Sequence, residues 1–148
     1  SPVWNDLLVV VLSDHGIKSN QKQQNSDYEV AQIPMVWIGG AVKEHRVVSS
    51  IMAQSDMAAT LLGQLDIPHA DFIFSRDVMS KTYQCPSAFH TFDNGMTLID
   101  SLGVVTYDNN AKRTIYSELF TGGQMDIKHY ENKIKAVLQT VYKDAATR

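Results

Sequence analysis

The residues best placed to do chemistry are Ser13-Asp14-His15-Gly16, where the apolar run Leu7 to Leu12 meets a carboxylate and an imidazole side by side. In open α/β sheets, ligands sit beyond the carboxyl ends of the strands, which is where Asp14 and His15 fall. Adjacent strand residues point to opposite faces, but a turn at Gly16 can swing both side chains toward one point. A carboxylate oxygen with an imidazole nitrogen suits Zn²⁺, Mn²⁺ or a similar divalent ion. The same residues suit a plainer arrangement, in which Asp14 caps a turn and His15 hydrogen-bonds to it. Taken alone, the four residues leave both readings open.

Other chemistry-bearing residues are dispersed. His45, His69, His90 and His129 are not spaced i, i+4 and have no neighbouring cysteine, so each is expected on the surface or in packing. His90 lies among residues with a strand pattern. Gly39-Gly40 could bring backbone amides near a phosphate, but no helix start follows it, and the signal is weak. The single cysteine, Cys85, excludes an intrachain disulfide and reads as a free, buried thiol.

The elements that must position these groups follow from periodicity. Leu7 to Ser13 is short, β-branched and apolar on both faces, as central parallel strands are. Residues 17 to 32 are polar and predict an exposed loop bordering the site, long enough to be poorly ordered. A second apolar run, Ile33 to Ile38, contains Pro34 at its start, where a strand tolerates proline. A helix is predicted from Ser55 or Asp56 to Leu65, with Ala58, Leu61, Leu62 and Leu65 as its apolar face and Ser55 or Asp56 at its cap. Strand, loop, strand, helix in this rhythm predicts α/β architecture with a parallel sheet.

The second half changes character. Residues 87 to 92 and 96 to 99 flank Asp93-Asn94-Gly95, a hairpin signal because Asn-Gly tolerates positive φ. Residues 104 to 107 and 113 to 116 flank a second turn, giving a small antiparallel meander. A long amphipathic helix is predicted from Asp126 to Ala145, with Ile127, Tyr130, Ile134, Val137, Leu138 and Val141 as its stripe. The pattern thus divides the chain into an α/β part, residues 1–82, and a meander with a C-terminal helix, residues 83–148.

The bulk numbers set the bounds. With 148 residues, 44% hydrophobic and 20% charged, the chain has the size and composition of a single globular piece with a real core. A formal net charge of -3 with scattered lysines and arginines argues against a nucleic-acid partner, which needs a clustered basic face. The longest apolar run is far short of the ~20 residues of a membrane helix. Ser1-Pro2 leads almost at once into a strand without an initiator methionine, which reads as a cut inside a longer protein.

The segments "VVVLSDHG", a polar loop, "IPMVWIGG" and "QSDMAATLLGQLDIP" occur in a particular order. That order resembles the sulfatase/alkaline-phosphatase superfamily, specifically its lipoteichoic-acid-synthase-like branch. The resemblance covers residues 7 to 68 and continues more loosely through "FIFSRDVMS" and the hairpins. It implies the C-terminal portion of an alkaline-phosphatase-like domain: a sheet-and-helix part, then an antiparallel meander and a helix. It implies a metal-dependent enzyme whose activated Thr, Ser or modified Cys attacks a phosphate or sulfate ester, with Asp14 and His15 as ligands to a Mn²⁺- or Zn²⁺-like ion. The nucleophile and the other ligands would lie upstream, leaving this portion inactive and its metal site empty. Implied substrates are lipid or glycan esters of phosphoglycerol or phosphoethanolamine type, or sulfated glycans. The parent would be anchored outside these residues, facing the extracytoplasmic side of the membrane. Asp56 and Thr60 match the family's helix motif, with capping and packing as their expected work. Gln32 departs from the basic residue many sulfatases carry before Ile-Pro, and no cysteine-based sulfatase signature is present; both turn the reading toward phospho-transfer. A non-catalytic α/β interaction module is the remaining alternative.

Overall fold

The computed structural model describes residues 2–147. The chain forms two compact units, Ser1–Ser49 and Ser50–Arg148, so division by compactness falls earlier than division by residue pattern.

The first unit is built on two strands, β1 (Val9–Leu12) and β2 (Met35–Ile38). They pair antiparallel, with Val9 opposite Ile38 and Leu12 opposite Met35. The parallel sheet expected from the sequence is therefore not what these two strands form. An apolar run reports how much covering a strand needs, not the direction of its partner. The segment between them carries a one-turn 3-10 helix, Tyr28–Ala31, where a parallel crossover would normally run through a full helix. Within this unit the strands are also less buried than expected: Val11, Val36 and Ile38 share one face and are each 45% exposed or more. The loop expected to be irregular has local order of its own. Its 3-10 turn seats Val30, one of the buried residues of the chain.

The second unit opens with a 3-10 turn, Gln54–Asp56, that runs into α1 (Met57–Gln64). The buried positions of α1 are Ala59 and Thr60, while Leu65 is exposed. The apolar spacing of Ala58, Leu61, Leu62 and Leu65 located the helix but misplaced its most buried face. An irregular segment then leads to a meander in the order β3-β4-β5-β6: β3 (Ser87–Phe92), β4 (Gly95–Asp100), β5 (Gly103–Asp108) and β6 (Arg113–Leu119). α2 (Ile127–Thr147) follows. Met96, Leu98, Val105 and Tyr107 of the sheet close on Tyr130 and Ile134 of α2, with Ile127, Val137 and Leu138 at the margin. The predicted stripe is thus the packed one, except that Val141 is 36% exposed. On the opposite face of the sheet, Thr97 and Thr106 are buried and satisfy each other across the strands at 2.9 Å.

Two local expectations are corrected. No positive φ occurs at Asn94 or Gly95. Glycine is needed at 95 for space, because a Cβ there would lie 2.0 Å from the Tyr107 carbonyl of the paired strand. Cys85 is exposed, in a turn where it adopts φ 55 just ahead of Pro86, so it is no core thiol. Among the described residues, no helix is long and apolar enough to cross a membrane.

Candidate metal-ligand pair at the end of β1

Beyond Leu12 the chain turns on its own polar atoms. Ser13 Oγ donates to the His15 carbonyl at 2.6 Å, and the His15 amide donates to Asp14 Oδ1 at 3.0 Å. This turn brings the two sequence-predicted side chains together: His15 Nε2 lies 3.7 Å from Asp14 Oδ1. Both are open to solvent, with His15 78% and Asp14 88% exposed.

The ring has a defined chemical sense. His15 Nδ1 is 2.8 Å from the Gly16 carbonyl, which can only accept, so Nδ1 carries the proton. In the neutral ring Nε2 is then left with its lone pair, turned toward a carboxylate oxygen. Two such groups are joined favourably by something positive between them. At 3.7 Å they lie beyond the ~2.7–3.2 Å of a hydrogen bond, yet one cation could touch both at the ~2.0–2.2 Å typical of zinc bonds to imidazole and carboxylate. The donor set therefore fits a divalent ion, with a carbonyl behind the imidazole as metal-bound histidines usually have. Among the described residues no group of three or more His, Cys, Asp or Glu side chains converges on one point, so the pair alone would supply only part of a coordination shell.

The other sequence candidates are engaged elsewhere. Gly40 N donates to the Trp4 carbonyl at 3.0 Å and Ala41 N to the Leu7 carbonyl at 3.2 Å, so the amides around Gly39-Gly40 brace the chain instead of facing an anion. Gln32 is exposed and its amide closes the 3-10 turn on Glu29. His45 and His129 are exposed, His129 lying edge-on to Tyr130; His69 is held near the Ile67 carbonyl, and His90 is half-buried in β3.

Asp56 and Thr60 do the packing work expected of them. Thr60 Oγ1 donates to the Asp56 carbonyl at 2.7 Å and accepts the Val78 amide at 3.1 Å. Asp56 is fully buried and accepts the Ala53 amide, so its carboxylate caps the 3-10 turn leading into α1. Its partner Arg76 escaped sequence reasoning. The guanidinium meets Asp56 Oδ2 at 2.8 Å and Oδ1 at 3.1 Å, and reaches the Ser87 carbonyl at 2.6 Å. Burial alone would lower the Arg76 pKa, but the hydrogen bonds and charge of Asp56 together raise it above its ordinary value. A lone arginine in "FIFSRDVMS" gives no sign of such a partner twenty positions back, and an aspartate at a helix start reads as a cap.

Comparison with known proteins bears on the same residues. The Sulfatase family model matches residues 1–67, which include Asp14 and His15. No curated protein matches the chain. Among solved structures, a protein of the alkaline phosphatase superfamily from Vibrio parahaemolyticus superposes with a TM-score of 0.69 at 17% identity, over 96% of this chain. The chain spans 36% of that protein's length. The first part of the chain is thus similar to the Sulfatase family, and the fold of the chain is similar to that of part of a solved alkaline phosphatase superfamily protein.

Proposed function

We propose that these residues form part of a metal-dependent phosphoric or sulfuric ester hydrolase or transferase, in which Asp14 and His15 are two of the protein ligands to a divalent cation such as Mn²⁺ or Zn²⁺. The observation that carries this reading is the pairing of His15 Nε2 with Asp14 Oδ1 at 3.7 Å, within the segment similar to the Sulfatase family. Such an ion, when bound, withdraws charge from ester oxygens and from the attacking nucleophile. The chain's own contribution is to hold one carboxylate and one imidazole lone pair in fixed relation, with Ser13 and Gly16 bracing the turn. The nucleophile and the remaining ligands come from other parts of the complete protein. Supporting this are the 36% of the neighbour's length that the chain spans and the exposed apolar face of Val11, Val36 and Ile38.

Within that reading, the preferred chemistry is transfer or hydrolysis of a phosphoglycerol- or phosphoethanolamine-type ester of the lipoteichoic-acid-synthase-like branch. The support is the ordered motif set and the Gln32 departure from the sulfatase pattern. A lipid or glycan substrate would place the parent enzyme at the extracytoplasmic face of a membrane, anchored by segments outside these residues.

The test is made in the complete protein. Asp14→Asn and His15→Ala should each lower turnover of a generic phosphodiester by at least 10²-fold with Mn²⁺ supplied, because the ion holding the developing negative charge is weakened. Folding should stay near normal, since both side chains are exposed. Unchanged turnover in both variants removes the ligand assignment. Greater turnover of an aryl sulfate than of the phosphodiester moves the substrate to sulfate esters.

A further inference from the structure

We infer that Gly16 is a positioning residue for His15: its missing side chain lets the Val30 carbonyl press on the peptide whose oxygen holds the imidazole in its Nδ1–H tautomer. The functional consequence rests on the reading of His15 as a metal ligand; the tautomer itself does not.

The contact is unusually close. A Cβ on residue 16 would fall 1.6 Å from the Val30 carbonyl oxygen and 2.7 Å from its carbon. Gly16 is not among the residues with positive φ, so the demand is for space and not for a special dihedral. Nor can Val30 move aside cheaply. Its side chain is buried, and its amide donates to the Asp27 carbonyl at 3.1 Å. The Asp27 carboxylate in turn accepts the Gln24 amide at 3.0 Å. The polar loop is therefore folded back as a braced turn whose Val30 carbonyl lies against the glycine, with the Val30 side chain buried.

The imidazole is largely open to solvent. Its side chain is 78% exposed, Asp14 approaches Nε2 only to 3.7 Å, and the 2.8 Å bond to the Gly16 carbonyl sets which nitrogen carries the proton. Moving that carbonyl by even an ångström would release the ring to rotate and exchange tautomers. A ring protonated at Nε2 presents Asp14 with a donor and offers no lone pair to a cation there. Gly16 thus controls the ligand atom without touching it, in the manner of the outer partners that orient metal-bound histidines.

The experiment is long-range ¹H–¹⁵N NMR on the uniformly labelled 148-residue chain at alkaline pH. His15 is assigned by loss of its signals in His15→Gln. The wild-type chain should show the Nδ1–H pattern, and Gly16→Ala should convert it to a mixture in which Nε2–H predominates. Gly122→Ala, where an added Cβ meets nothing within 4 Å, should keep the wild-type pattern. If Gly16→Ala fails to fold, Val30→Ala keeps the glycine, removes the buried side chain that seats the turn, and should also release the tautomer. A wild-type His15 that is mainly Nε2–H overturns the inference, as does a folded Gly16→Ala chain with an unchanged pattern. Titration with Zn²⁺ alone tests the ligand reading separately. The Nε2 shift of the wild-type chain should respond, with apparent affinity about 10- to 100-fold weaker in Gly16→Ala. If Zn²⁺ never moves that resonance, the ligand reading falls while the tautomer result stands.

Discussion

At the scale of single residues, the chain invests most in a pair that ties two of its segments together. Asp56 is wholly buried, and its two oxygens accept from Ala53 N, Arg76 N, Arg76 Nε and Arg76 NH2. The three bonds from Arg76 tie the start of α1 to the segment before β3, while the bond from Ala53 closes the 3-10 turn ahead of the helix. Removing Arg76 would leave a carboxylate buried with only backbone donors. Breaking buried pairs by deleting one partner costs about 3–5 kcal/mol, and since Arg76 is itself 40% exposed, Arg76→Ala should cost about 3 kcal/mol. Arg76→Lys should recover little of it, because an ammonium cannot span both Asp56 oxygens and the Ser87 carbonyl at once. Urea unfolding of the two variants checks this. A lysine variant as stable as wild type would mean that charge alone, and not the planar fork, holds the segment. The Asp14–His15 pair is the reverse case, with both side chains exposed to solvent.

At the scale of elements, α2 is pinned to β4 by a polar bond as well as by its apolar stripe. Tyr130 Oη donates to Asp100 Oδ1 at 2.7 Å. Burial first, then the hydrogen bond and charge of Asp100, push the Tyr130 phenol well above its ordinary value of about 10. The folded chain thus holds this proton more tightly than the unfolded one. Its contribution is whole at neutral pH and declines as pH rises beyond about 10, where the unfolded phenol ionises first. Tyr130→Phe should cost about 1.5 kcal/mol at pH 7; Asp100 keeps the Leu102 amide at 2.9 Å, so no orphaned acceptor adds to the loss. The difference in urea midpoint between wild type and variant should shrink above pH 10, and a gap that widens there would contradict the sign. The elements also show what was legible in the residues. The hairpins and α2 were read nearly to their ends, because turn chemistry and a 3.6-residue stripe are local and the partner of each element is its neighbour in the chain. The direction of β2 against β1 was not, since an apolar run reports how much covering a strand needs and not the direction of its partner. Cys85 was misjudged for a related reason: its exposure follows from a left-handed turn before Pro86 and not from its own apolar character. At the candidate site, Asp14 and His15 were visible as a pair, whereas the Val30 brace was not, because a glycine in sequence does not reveal which carbonyl it is making room for.

At the scale of the whole molecule, the question is how much of an active site one stretch of 148 residues can hold. Its two candidate ligands are 78% and 88% exposed, and no third His, Cys, Asp or Glu side chain among the described residues completes a cluster with them. Sites that retain a catalytic metal ordinarily use three protein ligands and keep one position open. An ion touching only Asp14 and His15 would stay largely hydrated and exchange freely. Suppose the dissociation constant were about 1 mM. Stabilisation at 1 mM ion would then be RT ln 2, about 0.4 kcal/mol, too small to move a melting curve visibly. Calorimetry of the isolated chain with Mn²⁺ or Zn²⁺ should accordingly give no tight isotherm, its melting temperature should be unchanged by either ion, and phosphodiester and sulfate-ester assays should stay blank. NMR can still register weak Zn²⁺ contact at His15, because it reads occupancy and not stability. Stoichiometric micromolar uptake, or turnover that vanishes in His15→Ala, would mean that these residues complete a working site by themselves, and the proposal that further ligands lie outside them would fall.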